Sequence, residues 1–120
     1  MSIAKLSIVD LLLRTVIGDN EWERDIRQDV IINLSFEFDA TMAVQSDSIS
    51  DTVNYKQLKR KIIAEVEGSR YRLVEKLAAA VLSIVMKDPR VLAASVRVDK
   101  PQALRYAKSV AIEMNTKRVV

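Results

Sequence analysis

A lysine near the carboxyl end of the chain has the placement expected of an acid–base group. Lys100 ends an alternating segment, residues 95–100, and falls on the same strand face as the apolar Val96 and Val98. Pro101 follows, and strands rarely continue through proline because it has no N–H for the ladder. The pattern predicts an amine on an apolar strand face, where burial favours its neutral form. The alternative, which the position of Lys100 alone favours, is that its aliphatic chain packs against protein while its ammonium group lies in water.

Glu75 is the second side chain whose surroundings suggest a chemical role. On a helix it shares a face with Ala78 and Ala79, and no Lys or Arg stands three or four residues further on, although Arg72 precedes it by three. A carboxylate over such a face can accept two N–H donors from a flat heterocycle. The alternative is an acidic residue that complements the helix dipole in the first turn. The sequence does not separate the two.

Tyr55, Glu23 and Arg105 become candidates through their position in the chain. Tyr55 begins a predicted helix and is either a packing aromatic or a phenol that relays a proton beside a lysine. Glu23 lies in a charged connection, where a solvated side chain is the ordinary interpretation. Arg105 and Lys108 follow Lys100 closely enough to extend a site towards an anionic group.

The composition narrows the chemistry that these side chains can perform. The 120 residues suit one domain, residues 1–120, and 49% of them are hydrophobic. The chain has no Cys and no His, which excludes disulfides, thiolate catalysis and the commonest metal ligand. Any catalysis therefore has to use Lys, Tyr and carboxylates.

Charge and hydropathy argue against two classes of partner. A net charge of +3 permits a basic pocket but is too small for a nucleic-acid coat. The basic side of the first helix lacks interleaved aromatics and is predicted to be a solvated face: Lys56, Lys59, Arg60 and Lys61. The N-terminus has no signal-peptide apolar region, and no apolar run is long enough to span a bilayer. We expect a cytoplasmic protein without nucleic-acid or membrane partners.

Hydrophobic periodicity predicts a long hairpin at the start of the chain. A strand runs from about Ala4 to Ile17 with an irregularity near Asp10, and residues 18–25 form a charged connection. The second strand has the clearest alternation, with one apolar face: Val30, Ile32, Leu34, Phe36 and Phe38.

Two helices and two further strands complete the predicted order. After a polar loop, residues 45–52, the first helix runs from about Asn54 to Glu67 and ends at Gly68, and its buried stripe is Tyr55, Leu58, Ile62 and Val66. The second helix covers about Arg72 to Lys87, and the strands cover about Val91 to Asp99 and Leu104 to Asn115. The β-β-α-α-β-β order predicts an α+β fold, an antiparallel four-stranded sheet with two helices on one face. Its exposed edges predict oligomerisation.

Six fragments along the chain are similar to the dihydroneopterin aldolase and epimerase family: Ile17-Gly18, Trp22-Glu23, Arg27-Gln28-Asp29, Asn54-Tyr55, Leu73-Val74-Glu75 and Lys100-Pro101. Their order and spacing match over essentially the whole chain. The element order also resembles the family's tunnelling fold (T-fold), in which subunits pair strands into a barrel and two rings stack. The resemblance implies a homo-oligomer, a tetramer or an octamer, with sites at subunit interfaces.

The resemblance also implies how a small pterin substrate is bound. Glu75 would anchor the amino and ring N–H groups of the pterin, helped by the backbone near Leu73 and Val74. Tyr55 would reach into the site of a neighbouring subunit. Arg105, from its position close to Lys100 and not from the resemblance, is also expected to contribute to substrate binding.

By the same resemblance, Lys100 is the general acid–base and acts at the pterin N5 through water. Tyr55 would assist proton transfer, and Glu23 would orient the substrate hydroxyls or the lysine. The implied reaction is a retro-aldol step without metal, Schiff base or cofactor. In this step the electron-poor ring takes the electrons of the broken C1′–C2′ bond.

The family contains two activities, and the fragments divide between them. Aldolases release glycolaldehyde and 6-hydroxymethyl-7,8-dihydropterin for folate biosynthesis, whereas epimerases re-form the bond and invert C2′ of dihydroneopterin triphosphate or a related phosphate to the monapterin form. Trp22-Glu23 resembles the aldolases, and three segments resemble the epimerases: Leu13-Arg14-Thr15, Arg27-Gln28-Asp29 and residues 103–107. Lys108 replaces an acidic residue expected in epimerases. The resemblance slightly favours an epimerase over an aldolase, and a non-catalytic pterin- or purine-binding protein is the third possibility.

Overall fold

Four antiparallel strands form one sheet in the computed structural model, which describes residues 1–119. Neighbouring strands in the sequence are neighbours in the sheet: β1 (Ile3–Thr15), β2 (Gln28–Asp39), β3 (Val91–Pro101) and β4 (Ser109–Lys117). Three helices lie between β2 and β3: the short α1 (Thr41–Ser46) and the 13-residue α2 (Tyr55–Glu67) and α3 (Val74–Met86). Two 3₁₀ turns, Glu21–Asp25 and Ile49–Asp51, complete the connections. The predicted α+β class and element order are confirmed.

The core lies between one face of the sheet and the helices α2 and α3. The predicted apolar face of β2 is buried along its whole length, from Val30 to Phe38. It packs with inward-facing residues of both helices: Leu58, Ile62 and Val66 from α2, and Leu77, Val81 and Val85 from α3. Each such side chain contributes roughly 1.5–3 kcal/mol by leaving water. The prediction that Tyr55 joins this buried stripe was wrong. Tyr55 is the first residue of α2 and its side chain is 53% exposed.

Local hydrogen bonds explain where the elements change direction. Asp10 has a φ of 54° and interrupts the β1–β2 register, as predicted, while its backbone N–H and carboxylate bond to the Asn33 side chain. The Asn54 side chain caps α2 by accepting N–H bonds from Lys56 and Gln57. The other end of α2 is fixed to the end of β1, since the Thr15 hydroxyl donates to the carbonyl of Val66 at 2.5 Å.

Several predicted boundaries were wrong. The third strand continues through Lys100 to Pro101, which pairs with Ser109, instead of ending at Asp99, and the last strand ends at Lys117 instead of Asn115. The last strand begins at Ser109 instead of Leu104, because residues 102–108 reverse direction through left-handed conformations at Gln102 and Tyr106. Helix α3 begins at Val74, since Leu73 is its extended N-cap. The first strand ends at Thr15 instead of Ile17. The short helix α1 was not predicted, and among residues 1–119 no helix is both long and apolar enough to cross a membrane.

Candidate active site

A buried ion pair joins the end of β3 to the first 3₁₀ turn. The ammonium of Lys100 donates to Oε2 of Glu23 at 2.5 Å, although the two residues are 77 positions apart. Lys100 is 9% exposed and Glu23 is 3% exposed, and they are the only buried charged residues in the described range 1–119. The predicted inward placement of Lys100 is confirmed, and the alternative of an ammonium in water is wrong. The solvated side chain that the loop position of Glu23 alone suggested is also wrong.

Four hydrogen bonds hold the Glu23 carboxylate. Oε2 also accepts from the Gln28 side chain at 2.9 Å, while Oε1 accepts from the backbone N–H and the side-chain amide of Asn20. Burial opposes ionisation, but the bonds from Gln28, Lys100 and Asn20 outweigh it and lower the pKa of Glu23 to about 2. Glu23 is therefore an anion at neutral pH. Within residues 1–119 no group of three acidic side chains is arranged to hold a metal ion.

Gly18 leaves the space that the carboxylate occupies. Its φ is +126°, which L side chains rarely adopt, and a Cβ at this position would overlap the carboxylate of Glu23. Its backbone N–H also donates to the carbonyl of Tyr71 at 3.2 Å. The glycine thus brings together the turn that carries Glu23 and the connection between α2 and α3.

The connection that Gly18 contacts leads into α3, whose N-cap is Leu73 and whose first residues are Val74 and Glu75. The first backbone N–H groups of a helix have no partners within it, so they are free to bind a ligand. Glu75 is exposed, and no basic side chain among residues 1–119 forms an ion pair with it, because Arg72 pairs with Asp19 at 3.1 Å instead. A carboxylate beside backbone N–H groups matches the donor and acceptor pattern of a flat heterocycle.

Tyr55 does not join the other candidates within one chain. It begins α2, whereas the Gly18 contact lies near the opposite end of that helix, which is about 20 Å long. Arg105 lies in the exposed connection 102–108 after Lys100, where its guanidinium is 5.6 Å from the ring centre of Tyr106. The structure therefore brings Glu23 and Lys100 together, joins the turn of Glu23 to the connection that leads into α3, and leaves Tyr55 near the far end of α2.

The residues that support Glu23 were not identified from the sequence as site residues. Gln28 had a usable signal, because counting back by two from the inward-facing Val30 places it on the buried face of β2. Gly18 and Asn20 had only their turn-forming residue types. Nothing local in the sequence showed that Glu23 would be buried, since its partner Lys100 is so distant in the chain.

Comparison with known structures defines the class of protein. The crystal structure of Escherichia coli dihydroneopterin aldolase in complex with neopterin matches with a TM-score of 0.87 and 27% identity, covering 97% of this chain and 99% of that one. The chain therefore has the tunnelling fold. The family model FolB, dihydroneopterin aldolase, matches residues 6–115, and the chain belongs to this family.

Curated relatives include enzymes with the second activity of the family. The dihydroneopterin triphosphate 2′-epimerase of Pseudomonas aeruginosa is 42% identical over 111 residues, covering 92% of this chain and 90% of that protein. The enzyme of the same name from Escherichia coli strain K12 is 41% identical over 115 residues, covering 96% of each chain. The predicted family and its enzymatic character are confirmed, and both predicted activities occur among the relatives.

Proposed function

We propose that this protein catalyses cofactor-free retro-aldol chemistry on the dihydroneopterin side chain, and that its main reaction inverts C2′ of 7,8-dihydroneopterin triphosphate or a related phosphate. The buried Glu23–Lys100 pair is the observation that carries the proposal. An anionic carboxylate fixed by four donors holds the amine in one position at the end of β3. The remaining protons of the ammonium are available to a ligand or a water molecule.

The proposed reaction balances its protons and electrons without a redox partner. A base removes the proton of the C2′ hydroxyl, the C1′–C2′ bond breaks, and its electron pair enters the pterin ring. Lys100 supplies a proton to the ring N5 through water, and the C2′ fragment becomes an aldehyde. For epimerisation, the aldehyde presents its other face, the same bond forms again and the protons return.

The remaining predicted residues bind and complete the substrate site. Glu75 and the backbone at Leu73 and Val74 anchor the pterin ring, and Arg105 interacts with the anionic end of the substrate. Tyr55 enters the site from a second copy of the chain, because about one helix length separates it from Glu75 in the same copy.

The epimerase activity is favoured over the aldolase activity by similarity. Identity to the epimerases is 41–42%, compared with 27% to the structurally matched aldolase. Aldol cleavage of 7,8-dihydroneopterin to glycolaldehyde and 6-hydroxymethyl-7,8-dihydropterin is the alternative, since it uses the same bond-breaking step.

Product analysis tests the proposal. The purified protein is incubated separately with 7,8-dihydroneopterin and its triphosphate, and the products are separated by chromatography. We expect the triphosphate to give the monapterin isomer with little free aldehyde. Predominant glycolaldehyde release would assign the aldolase activity instead. Neopterin binding without turnover of either compound would contradict an enzymatic role.

A further inference from the structure

Arg24 connects the two halves of the candidate site. It directly follows Glu23, and its guanidinium donates to three backbone carbonyls: Gly18 at 2.8 Å, Tyr71 at 3.2 Å and Arg70 at 2.5 Å. The first carbonyl belongs to the turn beside Glu23, and the other two belong to the connection that leads into α3. One side chain therefore bridges segments almost 50 residues apart in the sequence.

The bridge is reciprocal. The guanidinium of Arg70 donates back to the carbonyl of Arg24 at 2.5 Å, and the Gly18 N–H donates to Tyr71. Two exposed ion pairs, Arg70–Asp25 and Arg72–Asp19, join the same segments but contribute little because they are solvated. The charged hydrogen bonds of Arg24 are stronger than neutral ones and are directed at fixed carbonyl positions.

We propose that Arg24 is a positioning residue that sets the distance between the Glu23–Lys100 pair and the ring-anchoring segment Leu73–Glu75. Without it the polar contacts described between the two segments are the Gly18–Tyr71 bond, the Arg70 bond and the surface ion pairs. A substrate then still binds to the start of α3, but its reacting bond no longer meets the amine in one geometry. Small misplacements of this kind reduce the rate of the chemical step more than they reduce binding.

The test rests on the proposed function and measures two quantities for Arg24→Ala. At saturating substrate we expect kcat to fall at least tenfold, whereas the neopterin dissociation constant, from calorimetry, stays within threefold. Added guanidinium ion should restore part of the kcat of Arg24→Ala. Arg24→Lys cannot reach three carbonyls, so its kcat should lie between that of Arg24→Ala and that of the unchanged protein. Arg60→Ala, an exposed arginine on α2, is the matched control and should leave both quantities unchanged.

Two results would overturn the positioning role. In one, kcat of Arg24→Ala stays within twofold of the unchanged protein. In the other, neopterin affinity falls as much as kcat does, which would make Arg24 a support of the binding segment alone. If Arg24→Ala does not fold, the kcat and affinity of Arg24→Lys decide between the same outcomes. Failure of the proposed function is distinct, because the unchanged protein would then convert neither pterin.

Discussion

At the scale of single residues, the central feature is a lysine and a glutamate that neutralise each other in a buried position. A buried charge without a partner is costly, so each residue is needed for the burial of the other. Gln28 and Asn20 complete the carboxylate's hydrogen bonds, and this is why the pKa of Glu23 falls to about 2 despite burial. The same network that stabilises the fold holds the proposed acid–base group in place.

The low pKa of Glu23 predicts a defined pH dependence of stability. A carboxyl group whose pKa is lowered by folding stabilises the protein fully at pH values above its ordinary pKa of 4.5. This contribution to the free energy of unfolding disappears as the pH falls from 4.5 towards 2. The shift corresponds to roughly 3 kcal/mol. We expect Glu23→Gln to be less stable than the unchanged protein at pH 7, with the difference shrinking across that window.

Urea unfolding at pH 7, 4 and 3 measures this difference in the free energy of unfolding. Glu37→Gln, which changes an exposed glutamate on β2, is the control and should show little effect at any pH. A Glu23→Gln difference that is the same at all three pH values would contradict the ionised, hydrogen-bonded state of Glu23.

At the scale of elements, the site depends on the corner between β1 and β2. That corner brings the Glu23 turn against the connection before α3, and Gly18 is the residue that permits the approach. The corner therefore positions the amine relative to the start of a helix whose first N–H groups are free.

Gly18→Ala should disrupt this corner. A Cβ would overlap the Glu23 carboxylate, and the φ of +126° is strained for alanine, so we expect a stability loss of about 2 kcal/mol or more and a matching loss of turnover. Gly68→Ala is the comparison: its φ of −86° is ordinary, but a Cβ would lie 2.9 Å from the backbone carbonyl of Ala64, so it should also lose some stability while its folded form keeps normal turnover. Equal loss of turnover in the folded forms of the two variants would contradict the special role of Gly18.

Elements with strong periodicity could be predicted from the sequence, and irregular connections could not. The alternation in β2 and the Leu58, Ile62 and Val66 stripe correctly predicted the sheet and helix faces, because burial enforces those periods. A reversal between the last two strands was predicted, but its extent over residues 102–108 was not, since its left-handed residues, Gln102 and Tyr106, are not glycines. The inward direction of Lys100 was predictable from the strand period, whereas the burial of Glu23 depends on a contact across the whole chain.

At the scale of the whole molecule, we propose that one chain carries only part of the site. The outer strands β1 and β4 each have one unpaired edge within a single copy, and Tyr55 lies at the far end of α2 from Glu75. Pairing of strand edges between copies would cover the edges and bring Tyr55 of one copy towards the pair of another.

Mixed assemblies test this arrangement. Tyr55→Phe and Lys100→Met should each be nearly inactive, but co-expressed together they should form some sites with both native residues. With random assembly, roughly a quarter of the sites contain both the native tyrosine and the native lysine. Activity should therefore recover to about a quarter of that of the unchanged protein. Activity of the mixed assembly that equals the average of the two single variants would contradict shared sites.

The central claim is that Lys100 performs the proton transfers, and its replacement by methionine tests this most directly. Methionine keeps an unbranched side chain without the amine, but it leaves the buried Glu23 carboxylate without its partner. The double variant Glu23→Gln/Lys100→Met removes that unpaired charge and serves as the folding control. We predict that both variants bind neopterin with near-native affinity in calorimetry but convert dihydroneopterin triphosphate at least a thousandfold more slowly. Turnover by the folded double variant within tenfold of the unchanged protein would contradict the account.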